Sequence, residues 1–377
     1  MPGRVLEVAG LFLKLGFTGF GGTAANIALM EQETVEKRRW LTREHFLDLL
    51  AVTNLVPGPN AVEMACSIGF VRAGWLGLLA GGMCFILPAF SLSLALAWLY
   101  EKFGKLPQVE VLFYGINPAV MALILGAVSR LGRAVIRDWK TILLALACLL
   151  ASLSGFNEVL ILFASGLVGM LIFTPPSARE DKLTPLALLF PLSLPLTPIP
   201  WGRLLTLGLF FLKVGSFLFG SGMLLYAFVQ KDVVIRYGWL TQKQLLDAIA
   251  VGQMTPGPVL SSATFIGYLV AGLPGALVAT IGVFMPSFLI VALLVPWVRR
   301  LSGSEAARAF LQGVNVAVVS LIFTVVLHLF PNAVGDLWTG AILVLGLLAL
   351  LRFNLDSFWI VMGGGILGAL RFILFAH

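Results

Sequence analysis

Two Pro-Gly-Pro tripeptides, Pro57-Gly58-Pro59 and Pro256-Gly257-Pro258, interrupt apolar stretches of this 377-residue chain. Proline withholds a backbone donor and bends a helix, so each tripeptide leaves fresh helix ends deep in an apolar segment. The arms that follow, Asn60-Ala61-Val62-Glu63 and Val259-Leu260-Ser261-Ser262, present unpaired N–H groups and the positive end of a helix dipole. Such an end stabilises an anion. The Asn60 amide and the hydroxyls of Ser261, Ser262 and Thr264 add donors there. Lys14 and Lys213 lie well inside apolar segments, where an ammonium is costly unless it has a partner or a watery cavity. A divalent oxyanion held between two such lysines would offset that cost twice. Each lysine is followed by a Gly-rich turn, Phe20-Gly21-Gly22-Thr23 or Phe219-Gly220-Ser221-Gly222, whose small residues let backbone approach a ligand or another helix. Plainer readings stand beside these: a structural kink, two snorkelling lysines and close helix packing.

Acidic residues at depth are few, and Glu63 and Glu31 are the coupling candidates. Neither repeats, because Ser262 stands opposite Glu63 and Gln230 opposite Glu31; one unmatched carboxyl in a dry site would suit proton coupling. Glu31 also fits the solvated run 31–43. Asn117 and Asn315 are matched amides, either glue between helices or ligand donors. Cys66, Cys84 and Cys148 lack metal spacing and read as packing residues. No P-loop, zinc motif or dinucleotide fingerprint occurs, so the chain is expected to be no enzyme and to need no cofactor or metal.

The elements that position these residues come in two copies. Phe12-Leu13-Lys14 returns as Phe211-Leu212-Lys213, Trp40-Leu41-Thr42 as Trp239-Leu240-Thr241, and Asp48 as Asp247, all 199 positions apart. After a one-residue slip, Pro88, Phe90 and Asn117 return as Pro286, Phe288 and Asn315. The chain is 59% hydrophobic and 11% charged, with mean hydropathy +0.99, where a soluble domain is about one-quarter charged. Apolar stretches near the ~20 residues of a membrane span follow one another, so helices that cross a bilayer are expected. The net charge of +7 then speaks of topology rather than of nucleic acid. The N-terminal apolar stretch recurs at 203–228 and is expected to be a retained span, not a signal peptide.

If 46–72 and 245–271 are hairpins turning at Pro-Gly-Pro, each copy crosses five times and the second copy is upside down. Lys and Arg then fall mostly inside, as membrane proteins require; parallel copies put slightly more of them outside. A version in which both segments cross fully, with an extra span between the copies, is also inverted. The expected fold is therefore an all-α polytopic membrane protein of two homologous halves in inverted topology, each with a helix or hairpin broken at Pro-Gly-Pro. Its expected units are a first repeat at 1–173, a Pro-rich linker at 174–202 and a second repeat at 203–377.

The motifs Phe20-Gly21-Gly22, Trp40-Leu41-Thr42, Asn54-Leu55-Val56-Pro57-Gly58-Pro59-Asn60, Phe219-Gly220-Ser221-Gly222, Gly238-Trp239-Leu240-Thr241 and Gln253-Met254-Thr255-Pro256-Gly257-Pro258 together resemble the long-chain, two-domain form of the chromate ion transporter family. That resemblance implies export of chromate from the bacterial cytoplasm by a secondary transporter of the inner membrane, with sulfate as a related anion and antiparallel halves. Family members often carry Pro after the Gly-Gly turn and His a few residues on; here those places hold Thr23 and Asn26. The expected partners are chromate or sulfate and the lipid bilayer, with no nucleic acid; a homodimer is allowed for. An exporter of another small anion or of amino acids, and a membrane scaffold, are the rival readings.

Overall fold

The computed structural model describes residues 2–54, 56–104, 106–173, 202–294 and 305–375. The Pro-rich linker lies outside the described residues except for Gly202. The first copy contains α1 (Pro2–Thr18), α2 (Gly22–Glu31) running on into a π-helical turn (Gln32–Lys37), α3 (Arg43–Thr53), α4 (Asn60–Phe103), α5 (Pro107–Val135), α6 (Trp139–Leu153) and α7 (Glu158–Phe173). The second repeats this order: α8 (Arg203–Ser216), α9 (Leu224–Phe228) with a π-helical continuation (Val229–Arg236), α10 (Gln242–Met254), a 3-10 turn (Val259–Ser261) entering α11 (Ser262–Leu294), α12 (Glu305–Ala333), α13 (Leu337–Phe353) and α14 (Ser357–Phe375). No strand occurs among the described residues.

Local chemistry repeats with the order. Thr42 and Thr241 end the two Trp-Leu-Thr motifs and cap α3 and α10, accepting the N–H groups of His45 and Gln244. Asp138 and Asp336 cap α6 and α13 in reciprocal boxes with Thr141 and Thr339. Each such cap stabilises a helix start by about 1 kcal/mol.

The long α4 and α11 are each two arms rather than one rod. Both break at an Ala-Gly pair, Ala73-Gly74 and Ala271-Gly272, whose glycines take φ of 67° and 61°. Only glycine adopts that conformation without strain. Residues sixteen apart in a straight helix are separated by about 24 Å. Here Thr264 and Thr280 bond through their hydroxyls at 2.7 Å, and Gly81 abuts the Ala65 carbonyl, so each chain folds back on itself. Gly69 meets Gly77, and Gly267 meets Gly275, at the inner faces of these reversals.

A second reversal occurs at Pro256-Gly257-Pro258. The Tyr100 hydroxyl donates to Asp247 on α10 at 2.6 Å, while its ring meets Phe265 on the first arm of α11, so both sides of the tripeptide lie along one residue of α4. The first turn of each copy also folds back: Lys14 on α1 reaches Glu33 beyond α2, and Lys213 on α8 reaches Asp232 beyond α9.

Between the copies the helices exchange partners. α1 packs on α4 and α8 on α11, and α4 packs on α11. Beyond that, α5 of the first copy packs on α13 and α14 of the second, and α12 of the second on α6 and α7 of the first. Phe12, Phe85, Phe211 and Phe265 fill the resulting core, while Leu79, Leu87, Leu143, Leu171, Leu289 and Ile373 point outward. Five helices among the described residues are long and apolar enough to cross a bilayer, lying in α4, α5, α11, α12 and α14. An apolar outer face on apolar helices of this length makes the chain a multi-pass membrane protein.

The copies differ in how their short helices are covered. α10 packs on α5, α12 and α14, and α9 on α12, whereas α2 and α3 lean on α4. Asp247 and Leu224 are buried, whereas their counterparts Asp48 and Ala25 are exposed and half-buried, respectively; Leu225 and its counterpart Asn26 are both buried.

Candidate functional site: a cavity where the broken helices cross

Each Pro-Gly-Pro turn is tied to the Gly-rich turn of the other copy. Gly58 donates its N–H to the Leu218 carbonyl at 2.7 Å, and Gly257 donates to the Gly19 carbonyl at 2.9 Å. Gly19 and Leu218 are themselves counterparts, so the two bonds form a matched pair. The four turns enclose a cavity of about 440 Å³ including its open mouth. Gly58-Pro59-Asn60-Ala61 and Gly257-Pro258-Val259-Leu260 form two walls; Gly220-Ser221-Gly222 and, on α2, Thr23 and Asn26 complete it.

The lining has no formal charge. Its backbone donors are those of a helix start: the first intrahelical bonds of α4 are made by the N–H groups of Val62 and Glu63 to Pro59, which leaves those of Asn60 and Ala61 ahead of them. Asn26 directs its amide to the carbonyls of Gly22 and Gly257, at 3.0 and 3.4 Å, and its Oδ1 is buried without a partner. The Ser221 hydroxyl accepts the Met223 N–H at 3.2 Å and keeps its own proton to donate. Asn60 donates to the Asn54 side chain. The lining thus combines an apolar frame with a few uncharged donors and acceptors; among the described residues no His, Cys, Asp or Glu cluster could hold a metal.

Of the residues singled out from sequence, Thr23, Asn60, Gly220, Ser221 and both Pro-Gly-Pro turns meet at this cavity. Gly21 caps α2 with φ of 99° next to Asp356, and Gly22 follows it. Ser261 and Ser262 are buried one step behind the lining, where the Ser262 hydroxyl donates to Val259. Asn315 abuts Gly220, whereas Asn117 faces Asp247, so the matched amides have different neighbours. Glu63 is buried behind Gly58. Glu31 lies off the cavity, in an ion pair with Arg43 at 3.3 Å.

The two lysines do not converge on the cavity. Lys14 binds Glu33 at 2.9 Å, with Lys37 and Arg38 on the same carboxylate; Lys213 binds Asp232 at 2.6 Å and lies over the rings of Phe210 and Phe228. The Lys14 ammonium, aided by Lys37, holds the Glu33 carboxyl down at about 2 although burial opposes it. Only Lys213 is a largely buried ammonium, and Lys14 is half-exposed; each has as its partner a carboxylate of its own copy rather than a shared anion. Glu33 and Asp232 differ in type, so residue identity does not pair them; their common spacing of 19 residues from each lysine does.

A model of the chromate transporter family matches the chain twice, over residues 6–170 and 205–369. The chain is 35% identical over 380 residues to a chromate transport protein of Cupriavidus metallidurans, covering 97% of this chain and 93% of that protein. It is 34% identical to a probable chromate transport protein of Synechococcus elongatus, over 90% of this chain and 87% of that one. A chromate transport protein of Pseudomonas aeruginosa is also 34% identical, over 82% and 77% respectively. No solved structure matches.

Proposed function

Because the chain belongs to the chromate transporter family, we propose that it carries chromate across the membrane as a secondary transporter, binding the anion in the cavity between the two Pro-Gly-Pro turns. The observation that carries this reading is the matched pair of bonds from Gly58 to Leu218 and from Gly257 to Gly19, which sets two helix starts, one from each copy, around one polar space. A tetrahedral dianion needs several donors from different directions. The N–H groups of Asn60 and Ala61, the Ser221 hydroxyl and the Thr23 side chain offer them.

The proposed topology is inverted, with units 1–173 and 203–377 joined through 174–202. It is supported by α4, whose second arm reaches Tyr100 beside α10 and α11, while Arg72, at the far end of its first arm, binds Glu7 of α1 at 2.6 Å. The hairpins of the two copies thus meet opposite ends of one helix pair. α3 and the first arm of α4 would extend only about 16 and 20 Å as helices, too short to cross singly. Their unequal covering supports alternating access: one hairpin is packed under α5, α12 and α14, and exchange of the two environments would open the cavity to the other side. Outward movement from the bacterial cytoplasm through the inner membrane, and sulfate as a second substrate of like shape and charge, complete the proposal.

Proteoliposomes preloaded with chromate test it. Chromate should leave under an imposed potential that is negative inside, and sulfate should compete. Efflux no faster than from protein-free vesicles would favour a scaffold, and efflux of amino acids alone would favour the exporter reading.

A further inference from the structure

Glu63 is fully buried, and neither of its carboxyl oxygens has a hydrogen-bond partner among the described residues. It stands on the first turn of α4, and its Oε1 fills the space a Cβ on Gly58 would take. Ser287, on the second arm of α11, reaches the same point from the other copy; its hydroxyl is likewise buried and unpartnered. The pair therefore lies directly behind the Gly58 backbone that walls the cavity, at a seam between the copies.

No counter-ion faces this carboxyl among the described residues. On α4 itself its titratable neighbour is the Cys66 thiol. From α1, Lys14 is bound to Glu33 and Glu7 to Arg72; from α2, Glu31 is bound to Arg43. α3 contributes Glu44, His45 and Asp48, of which Glu44 and Asp48 are exposed. From α10, Asp247 takes the Tyr100 hydroxyl and Lys243 pairs with Glu110, while α11 carries no Asp, Glu, Lys, Arg or His. An ionised carboxylate with no cation and at most one hydroxyl nearby, closed off from water, is far costlier than the neutral acid.

We propose that Glu63, with the Ser287 hydroxyl beside it, is a proton-binding site, and that a proton there and an anion in the cavity bind together. This rests on the reading that the cavity takes the anion. An ionised Glu63 would repel a dianion across a single layer of backbone and cancel the positive helix start at Asn60; the neutral acid does neither. Binding of each favours binding of the other, as linkage requires. The site is one-sided: Ser262 stands where Glu63 would be in the second copy, Ala89 stands where Ser287 would be, and Gly257 faces that Ala89 methyl. One proton thus accompanies one dianion, and the pair still carries a net negative charge that an inside-negative potential drives outward.

The full-length protein in lipid nanodiscs decides the matter with wild type, Glu63→Gln and Ser287→Ala. Glutamine copies the shape of the neutral acid, so the cavity should survive. Infrared difference spectra of wild type minus Glu63→Gln near neutral pH should contain a carboxylic-acid C=O band; its absence would overturn the proton site whether or not chromate binds. Chromate affinity of wild type should fall by about tenfold per pH unit once Glu63 ionises, relative to Glu63→Gln. The titration of chromate itself is common to both proteins and drops out of the comparison, and Ser287→Ala should move the pH at which the wild-type profile breaks, whereas an unmoved profile would remove Ser287 from the site. Identical pH profiles for wild type and Glu63→Gln would overturn the coupling. Failure of chromate to bind at any pH would overturn the cavity's assignment and the coupling together, while the infrared band separately retains or removes the proton.

Discussion

The Leu218 carbonyl accepts the Gly58 N–H at 2.7 Å, fastening the broken helix of one copy to the first turn of the other. With the matching bond from Gly257 to Gly19, it makes the cavity a property of both copies at once. Displacing either tripeptide moves a wall that the opposite copy holds.

Gly58→Ala should therefore damage transport more than Gly257→Ala. A methyl on Gly58 overlaps Glu63 and Ser287, whereas one on Gly257 comes within 3.2 Å of the Ala89 methyl at φ of 90°. Strain of about 1–3 kcal/mol at the cavity wall corresponds to a loss of roughly fivefold to 150-fold in anion affinity. Equilibrium binding of chromate to the two purified variants gives the order, and equal affinities would contradict it.

Asn26→Leu copies the residue of the second repeat, Leu225, into the cavity wall. It removes the amide that spans Gly22 and Gly257. Losing hydrogen bonds worth about 1 kcal/mol loosens the Gly257 wall and should raise the chromate Kd by up to roughly fivefold, with a fall in stability no larger than about 1 kcal/mol. A large fall in Tm would instead mark Asn26 as structural.

The lysines should act on stability. Lys213→Met leaves Asp232 buried with Arg236, at 3.8 Å, as its one remaining cation among the described residues, and should cost about 3 kcal/mol. Lys14→Met should cost about 1 kcal/mol, because Lys14 is more than half exposed and Lys37 and Arg38 remain on Glu33. Glu33 has a folded value of about 2, below its ordinary 4.5, so the stabilisation is complete above about pH 4.5 and is lost as pH falls toward 2. The Tm gap between wild type and Lys14→Met should close over that window, and a gap that widens on acidification would refute the assignment. Pairing Lys14→Met with Glu33→Gln should recover most of the loss.

Alternating access makes a prediction about two matched pairs. Asn117 faces Asp247 here, and the corresponding pair in the second environment is Asn315 with Asp48. Cysteines at 117 and 247 should cross-link in the state described, and cysteines at 315 and 48 only in the opposite one. Chromate under turnover should slow the first cross-link and speed the second; a 315–48 pair that never forms would argue against exchange of environments.

Much of this was legible in the sequence. The repeat of Phe-Leu-Lys, Trp-Leu-Thr and Pro-Gly-Pro announced two copies of one helical plan, and the caps at Thr42 and Thr241 fall where those motifs end. The helix start at Asn60 and the Gly220-Ser221 turn, both singled out from sequence, line the cavity, whereas the lysines expected to join them do not. The ion pairs were not, because a search for identical residues passes over Glu33 opposite Asp232. Nor were the reversals at Ala73-Gly74 and Ala271-Gly272, since one apolar run reads alike as a rod or as a folded pair. Which turn binds which copy depends on contacts between distant segments, and no local pattern encodes them.

The exchange of α5 and α12 between copies makes this chain, in effect, a dimer whose subunits can no longer part. Two separate identical subunits arranged this way would carry every residue twice, so a Glu63 on one side would force a Glu63 on the other. Fusion lifts that obligation. A carboxyl can be kept beside Ser287 while its mirror position becomes Ser262 beside Ala89, and the molecule gains a direction that a symmetric pair would lack. Severing the chain between the copies and producing both fragments together should therefore restore function, whereas either fragment alone would leave α5 or α12 without the helices that cover it.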